Sequence, residues 1–95
     1  MRQVTIFGKT QEVANNKLRE ILNEMKYGDV KDVKLARDRC CFTTDDSIYI
    51  SMGASKGNRG HKCDYAYIDK NIRIEVFSDM INETLAYNSI GYEFY

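Results

Sequence analysis

Four consecutive residues, Tyr65-Ala66-Tyr67-Ile68, constrain this chain more than any others. Every position is apolar or aromatic, without the polar alternation of a strand that has one face in water. Such a strand is stable when layers cover both of its faces, as in an α/β domain. It opens after Asp64 and closes on Asp69. Ahead of it, residues 47–52 alternate Ile48, Ile50 and Met52 with Ser47, Tyr49 and Ser51, which predicts a strand of a sheet with one wet face. Between these strands runs a basic, glycine-studded loop, residues 53–63. Loops at strand ends are where small α/β proteins bind their ligands.

The flanking segments fit the same class. Residues 2–7 carry β-branched Val4 and Ile6 among polar neighbours and read as a strand ended by Gly8. Thr10 is placed to cap a helix over residues 10–26, whose apolar stripe is Ala14, Leu18, Ile21, Leu22 and Met25. Asn15, Asn16, Arg19, Glu20 and Asn23 form its solvent face, and Gly28 supplies a C-terminal cap. A modest strand follows over residues 30–37, with Val33 and Leu35 on one face. Asp38-Arg39 makes a turn, and residues 40–43 pair with 47–52 as a hairpin about Thr44-Asp45-Asp46. A second helix over residues 72–87 buries Ile74, Phe77, Met80, Ile81, Thr84 and Leu85. The last strand, from Ile90 to Tyr95, turns Tyr92 and Phe94 inward and forms a sheet edge. The order β-α-β-β-β-β-α-β predicts one α/β domain over residues 1–95, a mixed sheet of five to six strands with two helices.

At 95 residues there is room for a single core. A formal net charge of zero argues against a strong long-range field for a polyanion, leaving only a local basic patch. Three cysteines, Cys40, Cys41 and Cys63, make an odd number, with no C-x-x-C pair and no secretory leader, so reduced packing thiols in the cytoplasm are expected. No apolar run is long enough to span a bilayer.

Three constellations could carry chemistry. Gly8-Lys9-Thr10, between strand and helix, offers backbone amides, an ammonium and a hydroxyl to a phosphate. A complete phosphate loop would need a glycine where Gln3 stands, and a glycine turn with an exposed lysine and a threonine cap explains the same residues. In the loop, Lys56, Arg59, His61 and Lys62 place four potential cations within seven residues, with Asn58 among them and Gly57 and Gly60 allowing close backbone approach. They read as contacts to phosphate or nucleic acid, or else as a solvated loop. Asp69 closes a hydrophobic strand, where an aspartate can hold magnesium or merely cap the next helix.

From Arg59 to Asp69, the segment Arg59-Gly60-His61-Lys62-Cys63-Asp64-Tyr65-Ala66-Tyr67-Ile68-Asp69 resembles the approach to the Walker B strand in phage terminase large subunits and related helicase-like ATPases. The upstream strand, turn and helix with Gln11-Glu12-Val13-Ala14, the hairpin ending on Met52, and the final helix and strand are similar in order. Only Arg59, Gly60 and Asp69 match residue by residue. Lys70 stands at the catalytic glutamate position, and no Walker A loop is present. The resemblance therefore implies a reduced relative, encoded by a phage or mobile element, that has lost hydrolysis. It would bind nucleic acid or nucleotide phosphates through Lys9, Thr10, Lys56, Asn58, Arg59, His61 and Lys62, with no cofactor beyond a magnesium at Asp69 accompanying a nucleotide.

A small protein-interaction module, modulating a host defence or a phage packaging or replication machine, is the alternative. Seven tyrosines suit an interface, and residues 90–95 offer an edge for homodimerisation, so a monomer and a homodimer are both compatible with the sequence.

Overall fold

The computed structural model describes residues 2–54, 63–76 and 91–95. Its element order is β1 (Arg2–Gly8), α1 (Gln11–Asn23), a 3-10 turn at Tyr27–Asp29, β2 (Asp32–Leu35), β3 (Cys40–Thr43), β4 (Ser47–Gly53), β5 (Tyr65–Ile68), α2 (Ile74–Val76) and β6 (Gly91–Phe94). One mixed sheet holds all six strands in the order β2-β3-β4-β1-β5-β6. β1 runs parallel to both β4 and β5, β5 runs parallel to β6, and the β2-β3-β4 side is an antiparallel meander. This is the expected α/β class. β1 is more central than β5, because Val4 through Phe7 are buried and paired on both sides.

The pleat of β1 divides the core in two. Ile6 faces α1 and packs with Ala14, Leu18, Ile21, Cys40 and Phe42. Phe7 faces the other way and packs with Met52, Cys63, Ala66 and Ile68, with Ile72 and Val76 against them. Both faces of β1 are thus covered, whereas β5 buries Ala66 and Ile68 on the Phe7 side and leaves Tyr65 and Tyr67 on its other face only half-buried, contrary to the two-sided burial expected of it.

Several expectations need correction. The polar face of β4 is not wet: Ser47 and Ser51 are buried at 4% and 0% exposure. α1 lies over Ser51, and its hydroxyl is used internally, accepting from the Cys40 N–H at 2.8 Å. Asn15, assigned to solvent, is buried, because its side chain donates to the Arg37 carbonyl and accepts from Gln11 and Ser51. Polar residues facing one another can build a buried layer that resembles a wet face in sequence.

α1 ends at Asn23 with Glu24 as its cap, and Tyr27-Gly28-Asp29 forms a separate 3-10 turn instead of a glycine C-cap. Ile74 is 81% exposed, and Tyr92 and Phe94 are 51% and 53% exposed, not turned inward. On an outermost strand a side chain has sheet neighbours on one side only. The two rings instead meet each other edge-on at 5.7 Å. Phe77, Met80, Ile81, Thr84, Leu85 and Ile90 lie outside the described residues. The cysteines are free thiols. Burial pushes the Cys63 thiol up, and the adjacent Thr5 hydroxyl partly offsets that shift.

Candidate functional site

The carboxyl ends of the parallel strands β4, β1 and β5 gather three short segments. After β1, the chain enters α1 and travels to the β2-β3-β4 side; after β5, it passes through α2 to β6. Adjacent parallel strands whose connections depart in opposite directions leave a crevice between them, and open α/β sheets bind ligands there. Lys9 and Asp69 occupy the two lips of that crevice.

Gly8 and Gly53 bring α1 against this end. A Cβ on Gly8 would meet the Thr10 carbonyl at 2.7 Å and the Ala14 Cα at 2.9 Å, and one on Gly53 would meet the Gln11 N at 2.9 Å. The Gln11 side chain then bridges helix and sheet, its Oε1 accepting from the Gly53 N–H at 3.0 Å and its Nε2 donating to the Ser51 hydroxyl at 3.1 Å. Thr10 is the N-cap, accepting from the Val13 N–H at 3.2 Å. Gly8-Lys9-Thr10 is therefore a glycine turn with a threonine cap and an exposed lysine.

Asp69 is 4% exposed, and both carboxylate oxygens are bonded. Oδ2 accepts from the Lys9 N–H at 2.8 Å and Oδ1 from the Asn71 N–H at 2.9 Å, the latter an Asx turn. Each oxygen keeps a second lone pair, but among the described residues no group of three metal-ligating side chains forms. Beyond Asp69, the exposed Lys70 donates its N–H to the Tyr95 carbonyl at 2.9 Å. Tyr95 in turn donates its hydroxyl to the Phe7 carbonyl at 2.8 Å. Burial pushes that phenol well above the usual tyrosine range, and the negative Asp69 adds to the effect.

The structure thus brings Lys9, Thr10 and Asp69 to one end of the sheet. Lys56, Asn58, Arg59, His61 and Lys62 lie outside the described residues. Their flanks sit at opposite ends of the sheet: the Ala54 N–H bonds the Gly8 carbonyl, and the Asp64 N–H bonds the Gln3 carbonyl. Lys70, which in sequence reads as a missing glutamate, is an exposed cation immediately beyond Asp69. Arg19 and Arg37, which no sequence pattern singles out, line a groove of about 610 Å³ with Thr10, Gln11, Glu12, Asn15 and Asn16. No local signal joins Arg19 to Arg37; the Asn15–Arg37 bond that does so exists only in the fold.

No family model and no curated protein matches this sequence. Among solved structures, the ATPase domain of the Thermus phage P74-26 large terminase is similar over 98% of this chain, with a TM-score of 0.69 and 17% identity. An arginine-to-alanine mutant of that domain superposes with a TM-score of 0.67 and 16% identity, again over 98% of this chain. The matched region is 46% and 47% of those chains. The chain has the fold of about half of a phage large-terminase ATPase domain.

Proposed function

We propose that this is a non-catalytic, terminase-like phage protein that binds nucleic acid or nucleotide phosphates at the carboxyl end of its parallel strands. The observation that carries the reading is the crevice between β1 and β5, rimmed by the exposed Lys9 and Lys70 while amide hydrogen bonds occupy the one acid between them. A phosphate reaching this end meets the two ammonium groups beside an acid that is already hydrogen-bonded, with the exposed Glu12 in the first turn of α1 as the opposing charge. Arg19 and Arg37 add positive charge along the adjoining groove, which also carries Glu12. The basic residues Lys56, Arg59, His61 and Lys62, with Asn58, belong to the connection leaving the same strand ends at Ala54. Arg59 is the strongest candidate among them, since its planar fork makes two parallel bonds to a phosphate. Asp69 would organise the lysine-bearing turn, and a magnesium accompanying a nucleotide would use its remaining lone pairs.

Fluorescence polarisation with labelled single- and double-stranded DNA and with an ATP analogue, across a salt series, tests the reading. Binding should fall steeply with salt. Arg59→Ala and the pair Lys9→Ala with Lys70→Ala should each abolish it while the circular dichroism spectrum stays unchanged. No binding at low salt, or a flat salt response, sinks the proposal. ATP hydrolysis by the isolated chain would overturn its non-catalytic part.

A further inference from the structure

Among the described residues β2 is an outermost strand with no partner on its far side, and all four of its residues are exposed. Its ladder with β3 pairs Asp32 with Thr43, Val33 with Phe42, Lys34 with Cys41 and Leu35 with Cys40. The Ala36 N–H bonds the Arg39 carbonyl at 3.2 Å in the same register. Hydrogen-bonded positions alternate along an antiparallel ladder. Asp32, Lys34 and Ala36 therefore aim their backbone groups at β3, and Val33 and Leu35 aim theirs outward.

The side chains sort by pleat in the same way. Val33 and Leu35 stand opposite Phe42 and Cys40, on the α1 face, and are 50% and 46% exposed. With Tyr27, which is 99% exposed, Val33 borders an open groove that also takes in Leu22, Met25 and Val30. Asp32 and Lys34 stand on the opposite face, and neither has an ion-pair partner among the described residues.

We infer that this edge pairs with β2 of a second copy of the chain, antiparallel, about a two-fold axis through Val33. In that register Val33 and the partner's Val33 exchange both outward hydrogen bonds. Asp32 falls opposite the partner's Lys34, and Lys34 opposite the partner's Asp32. The next register that keeps like faces together, centred on Lys34, sets two lysines against each other, and opposed like charges destabilise a strand pair. Registers centred between residues put the apolar face of one copy against the charged face of the other. A short edge carrying charges resists most strands; these charges are complementary to their own two-fold image. The product is one continuous sheet through both copies, with the contact small enough to make a weak, concentration-dependent dimer.

Sedimentation equilibrium of the full chain in reducing buffer, over a wide concentration range, tests the inference. Wild type should show a monomer–dimer equilibrium. Val33→Pro removes an outward N–H and no internal one, so it should abolish the dimer with the thermal midpoint little changed. Asp32→Lys and Lys34→Asp should each weaken self-association by about tenfold or more, and mixing these two variants should restore a heterodimer. Wild type monomeric throughout overturns the proposal. So does a dimer that survives Val33→Pro, or charge variants that fail to complement on mixing.

Discussion

The Asp69 carboxylate accepts a hydrogen bond of 2.8 Å from the backbone N–H of Lys9, across sixty residues of sequence. With its second bond to Asn71, it ties the turn after β1 to the turn after β5, so the two lips of the crevice are held by one side chain. Asp69→Ala removes two charge-assisted bonds and strands two amide donors. It should cost roughly 2–4 kcal/mol in urea unfolding. Asp69→Asn keeps one acceptor oxygen and should cost less. If Asp69 acts only as this tie, phosphate binding in Asp69→Asn should stay near wild type; loss of binding with the fold intact would instead make it a ligand-contacting residue.

Gly8 sets how closely α1 approaches the sheet. Gly8→Ala places a methyl against the backbone of Thr10 and Ala14, which cannot give way as a flexible side chain would. It should destabilise by roughly 1–3 kcal/mol or more. Gly28 has nothing within 4 Å of an added Cβ, so Gly28→Ala should be neutral to slightly stabilising. Denaturant midpoints of the two variants side by side check both outcomes.

Ser51 joins three elements through one hydroxyl, which accepts from the Cys40 N–H and Gln11 and donates toward Asn15. Ser51→Ala should cost roughly 1–3 kcal/mol, because the Cys40 N–H is left unbonded in a dry layer. Ser47→Ala should cost less: among the described residues the Ser47 hydroxyl bonds the exposed Asp46 carboxylate alone. Equal losses in the two variants would show that burial alone, without the network, governs these serines.

The Tyr95 phenol is held neutral by burial and by Asp69, so its folded pKa lies above its unfolded value of about 10. The folded state then retains a proton that the unfolded state releases, and stability falls as pH rises above that value. Urea unfolding at successive alkaline pH values should show the fall, and Tyr95→Phe should reduce its slope. At neutral pH the same substitution should cost about 1 kcal/mol, for the lost bond to the Phe7 carbonyl.

The sequence was most legible where one segment carries its own signal. Ala14, Leu18 and Ile21 repeat at helical spacing and are buried, and Thr10 caps the helix they define. The hairpin of β3 and β4 follows from a short polar turn between two strand-like runs. It was least legible where polar residues meet across elements. Nothing near Asn15 or Ser51 distinguishes them from solvent-facing residues, since their partners are the Arg37 carbonyl and the Cys40 backbone.

Sequence alone determined the class, because local periodicity supplies the strands and the helix in α/β order, although the tyrosine face of Tyr65 to Ile68 is only half-buried. It also placed Lys9 and Asp69 at strand ends. Only the tertiary structure decided that those ends are neighbours, that β1 is the central strand, and that Val33 and Leu35 lie on an open edge. Side-chain period is a property of a few consecutive residues, but strand order and register depend on long-range pairings, such as Phe7 with Ile68, that no local window contains.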